Sequence, residues 1–149
     1  MIQYKSITHE RTEDAPFIGA LICAIDCKFN CNNCFNQELK DLPNKEDTIQ
    51  HIISEIKSNP FNKGIILAGL EWTLQSDEMR VLILEALENK LQVILYTGMT
   101  EDIFKIKFFD VYQLPIYIKF GQYDDCLSTN DNVQFGIKLA SMNQYIRKG

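Results

Sequence analysis

Apolar positions along the chain follow two rhythms, and the switch between them predicts the elements. Phe17 to Ile25 is a short apolar run rich in Ile and Leu, bounded by Pro16 and Asp26, and reads as a buried strand. From Asp47 the spacing changes: Ile49, Ile52, Ile53 and Ile56 fall at i, i+3, i+4 and i+7, with Asp47 and Gln50 placed as a capping box. An amphipathic helix ending before Pro60 is predicted. "GIILAG" (64 to 69) is a second buried strand. Ser76 to Lys90 returns to helical spacing through Met79, Leu82, Ile83, Ala86 and Leu87, and "QVILYTG" (92 to 98) is a third strand. A short helix over Glu101 to Ile106 leads to "VYQLPIYIKFG", which reads as one or two further strands broken near Pro115.

Strand, helix, strand, helix, strand is the order of a parallel sheet with helical crossovers, either an open doubly wound sheet or part of a barrel. In both, ligands sit at the C-terminal ends of the strands. The segment after the first strand carries three cysteines, "GLEW" (69 to 72) ends the second strand, and Thr97 and Gly98 end the third. One rim is expected to hold all three. The expected fold class is α/β, an incomplete TIM-like (β/α) barrel with a mostly parallel sheet, because a full barrel takes about 250 residues and the chain has 149.

No repeat, low-complexity tract or linker-like stretch divides the sequence, so a single domain over residues 1 to 149 is expected. The formal charge is −5, with 15 Lys and Arg against 20 Asp and Glu and no dense basic block. Nucleic acid and anionic membrane are therefore poor candidates for partners. "MIQYKSITHERTEDAP" is polar where an export signal needs an apolar core, and "APFIGALICAI" falls short of the roughly 20 apolar residues of a membrane helix. A cytoplasmic location with reduced thiols is expected.

Under those conditions clustered cysteines read as metal or redox ligands. "CKFNCNNC" (27 to 34) places Cys27, Cys31 and Cys34 within eight positions of a chain that has five cysteines. Cubane iron-sulfur clusters and structural zinc usually take four ligands, so a tight trio leaves one position open, as a site that binds substrate directly requires. The spacing also differs from the runs found in ferredoxins. Cys23, inside an apolar run, is either a fourth ligand or a buried small hydrophobe. Cys126, His9 and His51 are ordinary residues unless the fold brings them to the trio.

The spacing of three residues and then two is that of the radical S-adenosylmethionine (SAM) enzymes. "CKFNCNNCFNQEL", "GIILAGLEWTLQ", "ILYTGMTEDIF", "YIKFGQY" and "GIKLASMNQYIRKG", in that order, resemble the activating protein of the anaerobic, class III ribonucleotide reductase, as does the C-terminal pair Asn143 and Gln144. The resemblance implies that Cys27, Cys31 and Cys34 ligate a 4Fe-4S cluster and that SAM chelates the remaining iron. One electron then cleaves SAM to methionine and a 5'-deoxyadenosyl radical. The backbone of Asn33, Cys34 and Phe35 would lie against the adenine, and Gly69 and Glu71 would match the Gly-Gly-Glu/Asp segment that meets the amino group of SAM. Glycine lets backbone approach a ligand, and a carboxylate pairs with an ammonium. Thr97 and Gly98 complete the implied cofactor rim; the plain alternative is a turn there and a solvated, half-buried loop at Glu71 and Trp72. The sequence departs from the family pattern at Asn33, Leu70 and Trp72.

The implied activity is that of a glycyl-radical activase. Its partner would be the glycyl-radical subunit of anaerobic ribonucleoside-triphosphate reductase, and its reductant a donor such as flavodoxin or ferredoxin. The alternatives are an activase for a formate-lyase type of glycyl-radical enzyme, or a non-enzymatic electron-transfer or zinc module using Cys23.

Overall fold

The computed structural model describes residues 1–27 and 37–149. The N-terminal stretch forms β1 (Ile2–Tyr4) and β2 (Ser6–Arg11), followed by β3 (Gly19–Cys23). A 3-10 turn over Gln37–Asp41 and the short β4 (Lys45–Asp47) lead to α1 (Ile49–Ser58). Then come β5 (Gly64–Ala68), a 3-10 turn over Trp72–Gln75, α2 (Ser76–Glu88) and β6 (Gln92–Tyr96). The chain continues through α3 (Glu101–Lys107), α4 (Phe109–Tyr112), β7 (Tyr117–Phe120) and a third 3-10 turn, Asp125–Leu127. It closes with the hairpin β8 (Val133–Gln134) and β9 (Ile137–Lys138) and with β10 (Tyr145–Lys148).

Six strands form one sheet in the order β10-β7-β6-β5-β3-β2. The four inner strands are parallel, and both edge strands run antiparallel to their neighbours. The expected incomplete TIM-like barrel is therefore corrected: the sheet is open, mixed and linear in order. A barrel grows by repeating strand and helix until its first and last strands pair. Here the repeat ends at each side in an antiparallel strand, and β2 and β10 lie at opposite edges.

Burial explains the inner strands. Every residue of β5 is buried, as a central strand covered on both faces requires. Alternate residues then sort into two cores. Ala20, Ile22, Ile65, Leu67, Val93 and Leu95 face the helices, meeting Ile52, Ile53 and Ile56 of α1 and Met79, Leu82, Ile83 and Ala86 of α2. Ile66, Ala68 and Ile94 face the opposite side, where Phe17, Ile137, Leu139 and Ile146 pack on them. Among the described residues no helix contributes to that second core, so the sheet has one helical face and one covered by loops and the C-terminal stretch.

Two local readings shift. The cap of α1 is Thr48, whose hydroxyl accepts from the His51 N–H at 3.1 Å, one residue after the expected Asp47. Asp47 instead accepts from the Thr48 N–H at 2.8 Å. Val111 and Tyr112, expected as the start of a strand, instead belong to α4, with Val111 buried against the helical core and Asp110 paired to Arg80 at 2.8 Å. Among the described residues no helix is long and apolar enough to cross a membrane.

Candidate functional site

Four parallel strands end side by side, and a cleft of about 860 Å³ opens at that end and along the loop-covered face. Its size lies within the range of small-molecule sites. Cys27, Gly69, Glu71, Thr97 and Gly98 all line it, together with Gly121 after β7.

Backbone and side-chain hydrogen bonds stitch the strand-end loops into one rim. The Cys27 N–H donates to Asp26 Oδ1 at 2.8 Å, and the Asp26 carbonyl accepts from the Glu71 N–H at 2.8 Å. Glu71 Oε1 accepts from the Gly98 N–H at 2.7 Å and from the Thr97 hydroxyl at 3.3 Å. Its Oε2 accepts from the Thr73 hydroxyl at 2.7 Å and the Thr73 N–H at 3.2 Å. The Thr97 N–H donates to the Lys119 carbonyl at 2.9 Å, which carries the seam to β7. Loops from four strands thus converge on one carboxylate and its neighbours.

Glu71 is only 3% exposed. A buried carboxylate is tolerated when its lone pairs are filled, and here four donors replace water. Among the described residues it takes part in no ion pair. Trp72 is fully buried, its indole N–H donating to the Ile22 carbonyl at 2.9 Å. The plain alternative of solvated, half-buried side chains at Glu71 and Trp72 does not describe this loop.

Gly69 has φ +92°, a conformation that L side chains rarely adopt, and a Cβ built there would stand 2.6 Å from Cys23 Sγ. The chain can turn from β5 into the rim only because that position is glycine. Cys23 itself is buried at the end of β3 in the helical core, and its thiol donates to the Ala24 carbonyl at 3.4 Å. Burial pushes its pKa up, and a backbone hydrogen bond from Leu70 opposes that. Cys23 packs as a small hydrophobe does.

Of the trio, Cys27 is described: it is half-buried at the cleft edge. Cys31 and Cys34, and with them Asn33 and Phe35, lie outside the described residues. Among the described residues no group of three or more His, Cys, Asp or Glu side chains could hold a metal ion. His9 pairs with Glu55 at 3.1 Å and His51 with Asp47 at 2.9 Å, and neither lines the cleft. Cys126 is exposed on the third 3-10 turn, also off the cleft.

The far wall of the cleft escaped the sequence reading. Tyr96 donates its hydroxyl to the Asp14 carbonyl at 2.6 Å, and burial, with the Asp14 charge second, raises its pKa. The Arg11 guanidinium holds the Asp14 carboxylate at 2.7 Å. The Lys119 ammonium donates to the Gly121 carbonyl at 2.9 Å and lies 5.5 Å from the centre of the Tyr96 ring. A lysine within the apolar strand "YIKFG" was the available signal. Gln144 spans the cleft's C-terminal side: its Oε1 accepts from the N–H groups of Ala140 and Ser141, both at 3.1 Å, and its amide donates to Gly121 at 3.2 Å. Asn143 donates to the Gln122 carbonyl at 2.7 Å. The Asn143–Gln144 pair therefore fastens the C-terminal stretch to the loop after β7.

Comparison with curated proteins returns no match. A family model described as a 4Fe-4S single cluster domain matches residues 19–135, from the start of β3 to the hairpin β8–β9. The donor chemistry fits such a cluster: three closely spaced cysteines supply thiolates, and the described one sits where the strand-end loops meet. The matched span contains the whole trio, the parallel strands and the rim, and on that extent the chain belongs to the 4Fe-4S single cluster domain family, a cluster-binding module.

Proposed function

We propose that the protein is a radical SAM activase, which cleaves SAM reductively at its cluster and places a glycyl radical on anaerobic ribonucleoside-triphosphate reductase. The observation that carries this reading is the cleft of about 860 Å³ beside Cys27, because a purely electron-transferring cluster needs no ligand-sized space next to it. Three cysteines with the 27, 31, 34 spacing, one fewer than the four ligands usual for a cubane cluster, agree with it. The bound cluster and SAM would supply the radical chemistry, and the chain would position them and exclude water.

The residues of the rim have defined parts in this reading. Gly69 turns the backbone toward the cleft, and Glu71 offers a carboxylate to the SAM ammonium. All four lone-pair sites of Glu71 have donors, but those from Thr73 and Thr97 include two hydroxyls. A hydroxyl can rotate its proton away and release a lone pair, which a backbone N–H cannot do. Thr97 and Gly98 hold Glu71 in place, and Asn33, Cys34 and Phe35 would face the adenine. An electron donor such as flavodoxin or ferredoxin would reduce the cluster.

The test is anaerobic reconstitution with iron and sulfide, reduction, and assay for methionine and 5'-deoxyadenosine from SAM. Addition of the reductase should then yield a glycyl-radical signal by electron paramagnetic resonance, lost when the partner glycine is replaced by alanine. Transfer to a formate-lyase type of enzyme alone would reassign the partner. Iron and sulfide without SAM cleavage would leave an electron-transfer module, and stoichiometric zinc requiring Cys23 a structural one.

A further inference from the structure

Lys5 is a buried lysine, 6% exposed, that the functional reading does not use. It forms no ion pair among the described residues. Its ammonium donates to the carbonyls of Lys40 at 3.2 Å and Leu42 at 2.5 Å, which follow the cysteine segment. Its backbone N–H donates to the Cys23 carbonyl at 2.8 Å, which precedes that segment. A single residue is bonded to both flanks of the stretch that carries the cluster ligands.

The strands around Lys5 repeat the arrangement. On its C-terminal side β2 pairs with β3, Ser6 opposite Cys23 and Ile7 opposite Ile22. On its N-terminal side β1 pairs with β4, with Tyr4 opposite Lys45 and Ile2 opposite Asp47. Residues 1 to 11 therefore bridge the chain entering the cysteine segment and the chain leaving it, and Lys5 is the point where the two seams meet. An ammonium buried without a carboxylate is costly unless its protons are bonded, and its two carbonyl acceptors lie at the end of one 3-10 turn. That position complements the negative end of the turn's peptide dipoles as well as its unpaired carbonyls.

We propose that Lys5 is a positioning residue for the cluster site: the N-terminal strap, through the Lys5 ammonium, holds the two flanks of the cysteine segment in register and so favours loading of the cluster. This rests on the cluster-binding assignment and not on SAM cleavage. Lys5 touches neither cluster nor substrate in this role.

The test compares Lys5→Met, Lys5→Arg and a surface control, Lys57→Met, which loses one exposed bond from the last turn of α1 to Asn89. In cluster-free protein, Lys5→Met should speed amide exchange over residues 37–44 by about tenfold, the change expected when hydrogen bonds from a charged donor are lost. Exchange in β5 and β6 should stay as in the wild type. Lys5→Arg should restore most of the protection, and Lys57→Met should leave it intact. After reconstitution, Lys5→Met should retain less than half the wild-type iron. In wild-type protein the Lys5 amine should resist acetylation while the exposed Lys45 reacts, a reading that needs no variant to fold. Unchanged exchange over 37–44 in Lys5→Met, or acetylation of Lys5 at the rate of Lys45, overturns the proposal. Failure of SAM cleavage with the exchange pattern intact overturns the activase reading and leaves this one standing.

Discussion

Replacing Glu71 by glutamine tests whether the rim is held by one carboxylate. The side chain keeps its size, so the change is confined to its bonds. One oxygen becomes an NH2 group, whereas in the wild type each oxygen accepts from one backbone N–H, Gly98 at 2.7 Å or Thr73 at 3.2 Å. The glutamine can keep its carbonyl on Gly98 and turn its amide toward Thr73, whose hydroxyl can rotate to accept. The Thr73 N–H is then left facing a donor. Losing one bond to a charged acceptor and weakening the others to neutral strength should cost about 2 kcal/mol. Glu71 is almost fully buried, so solvent relieves little of this. For a chain of this length that corresponds to a melting temperature lower by about 4–8 °C. The assay is thermal unfolding of cluster-free protein under reductant, followed by circular dichroism, with amide exchange at Gly98 as the local probe. Iron content after reconstitution should match the wild type, and on the proposed activase reading SAM affinity should fall by about 1.5–3 kcal/mol. An unchanged melting temperature together with unchanged Gly98 exchange would refute the argument that the rim depends on this charge.

Three further outcomes are expected from the sequence and the geometry. Serine at Cys27, Cys31 or Cys34 should abolish iron retention, whereas serine at Cys23 or Cys126 should keep it; loss of iron in the Cys23 variant would instead favour a four-thiolate site. Gly69→Ala should destabilise the fold by about 2–5 kcal/mol from strained backbone and overpacking. Adding Cys23→Ala removes the sulfur that the new Cβ would meet at 2.6 Å, so the double variant should recover part of the loss; strictly additive effects would show that the contact does not matter. Hydrogen bonds from Tyr112, then Tyr145, hold the Glu101 carboxyl below its ordinary pKa. Its contribution is therefore complete above the unfolded value of about 4.3 and is lost as pH falls through the lower folded value. Glu101→Gln should lower the melting temperature at pH 7 and flatten its decline on the acid side, and an acid limb identical to wild type would rule this out.

Periodicity made the inner architecture legible. "GIILAG" is apolar throughout because β5 lies between two cores, and Met79, Leu82, Ile83 and Ala86 recur at helical spacing because one face of α2 meets the sheet. Cysteine spacing is equally local, since three thiols within eight positions need no knowledge of the fold to suggest a shared metal group. From strand order alone it also follows that loops after β3, β5 and β6 reach one end of the sheet. These features depend on how a side chain meets the layer beside it, and that relation repeats along the chain.

Tertiary structure decided how the sheet ends and which atoms meet across its rim. β2 and β10 are short, half-polar strands, so nothing in their own pattern announced antiparallel edges, and without them a barrel was the natural extension. Residues 109–112 carry Val and Tyr, which suit a strand, yet packing of Val111 and the Arg80–Asp110 pair selects a helical turn. Glu71 stood out as a carboxylate at a strand end. Its bonds to Thr73 are a local cap of the 3-10 turn, but that it is buried and also bonded to Thr97 and Gly98 follows from the register that sets β5 beside β6. Lys5 looked like one polar residue among several, and only the fold placed its ammonium over the chain leaving the cysteine segment. Side-chain pattern records burial against a neighbouring layer, whereas hydrogen bonds between loops far apart in sequence depend on sheet register, which no local spacing encodes.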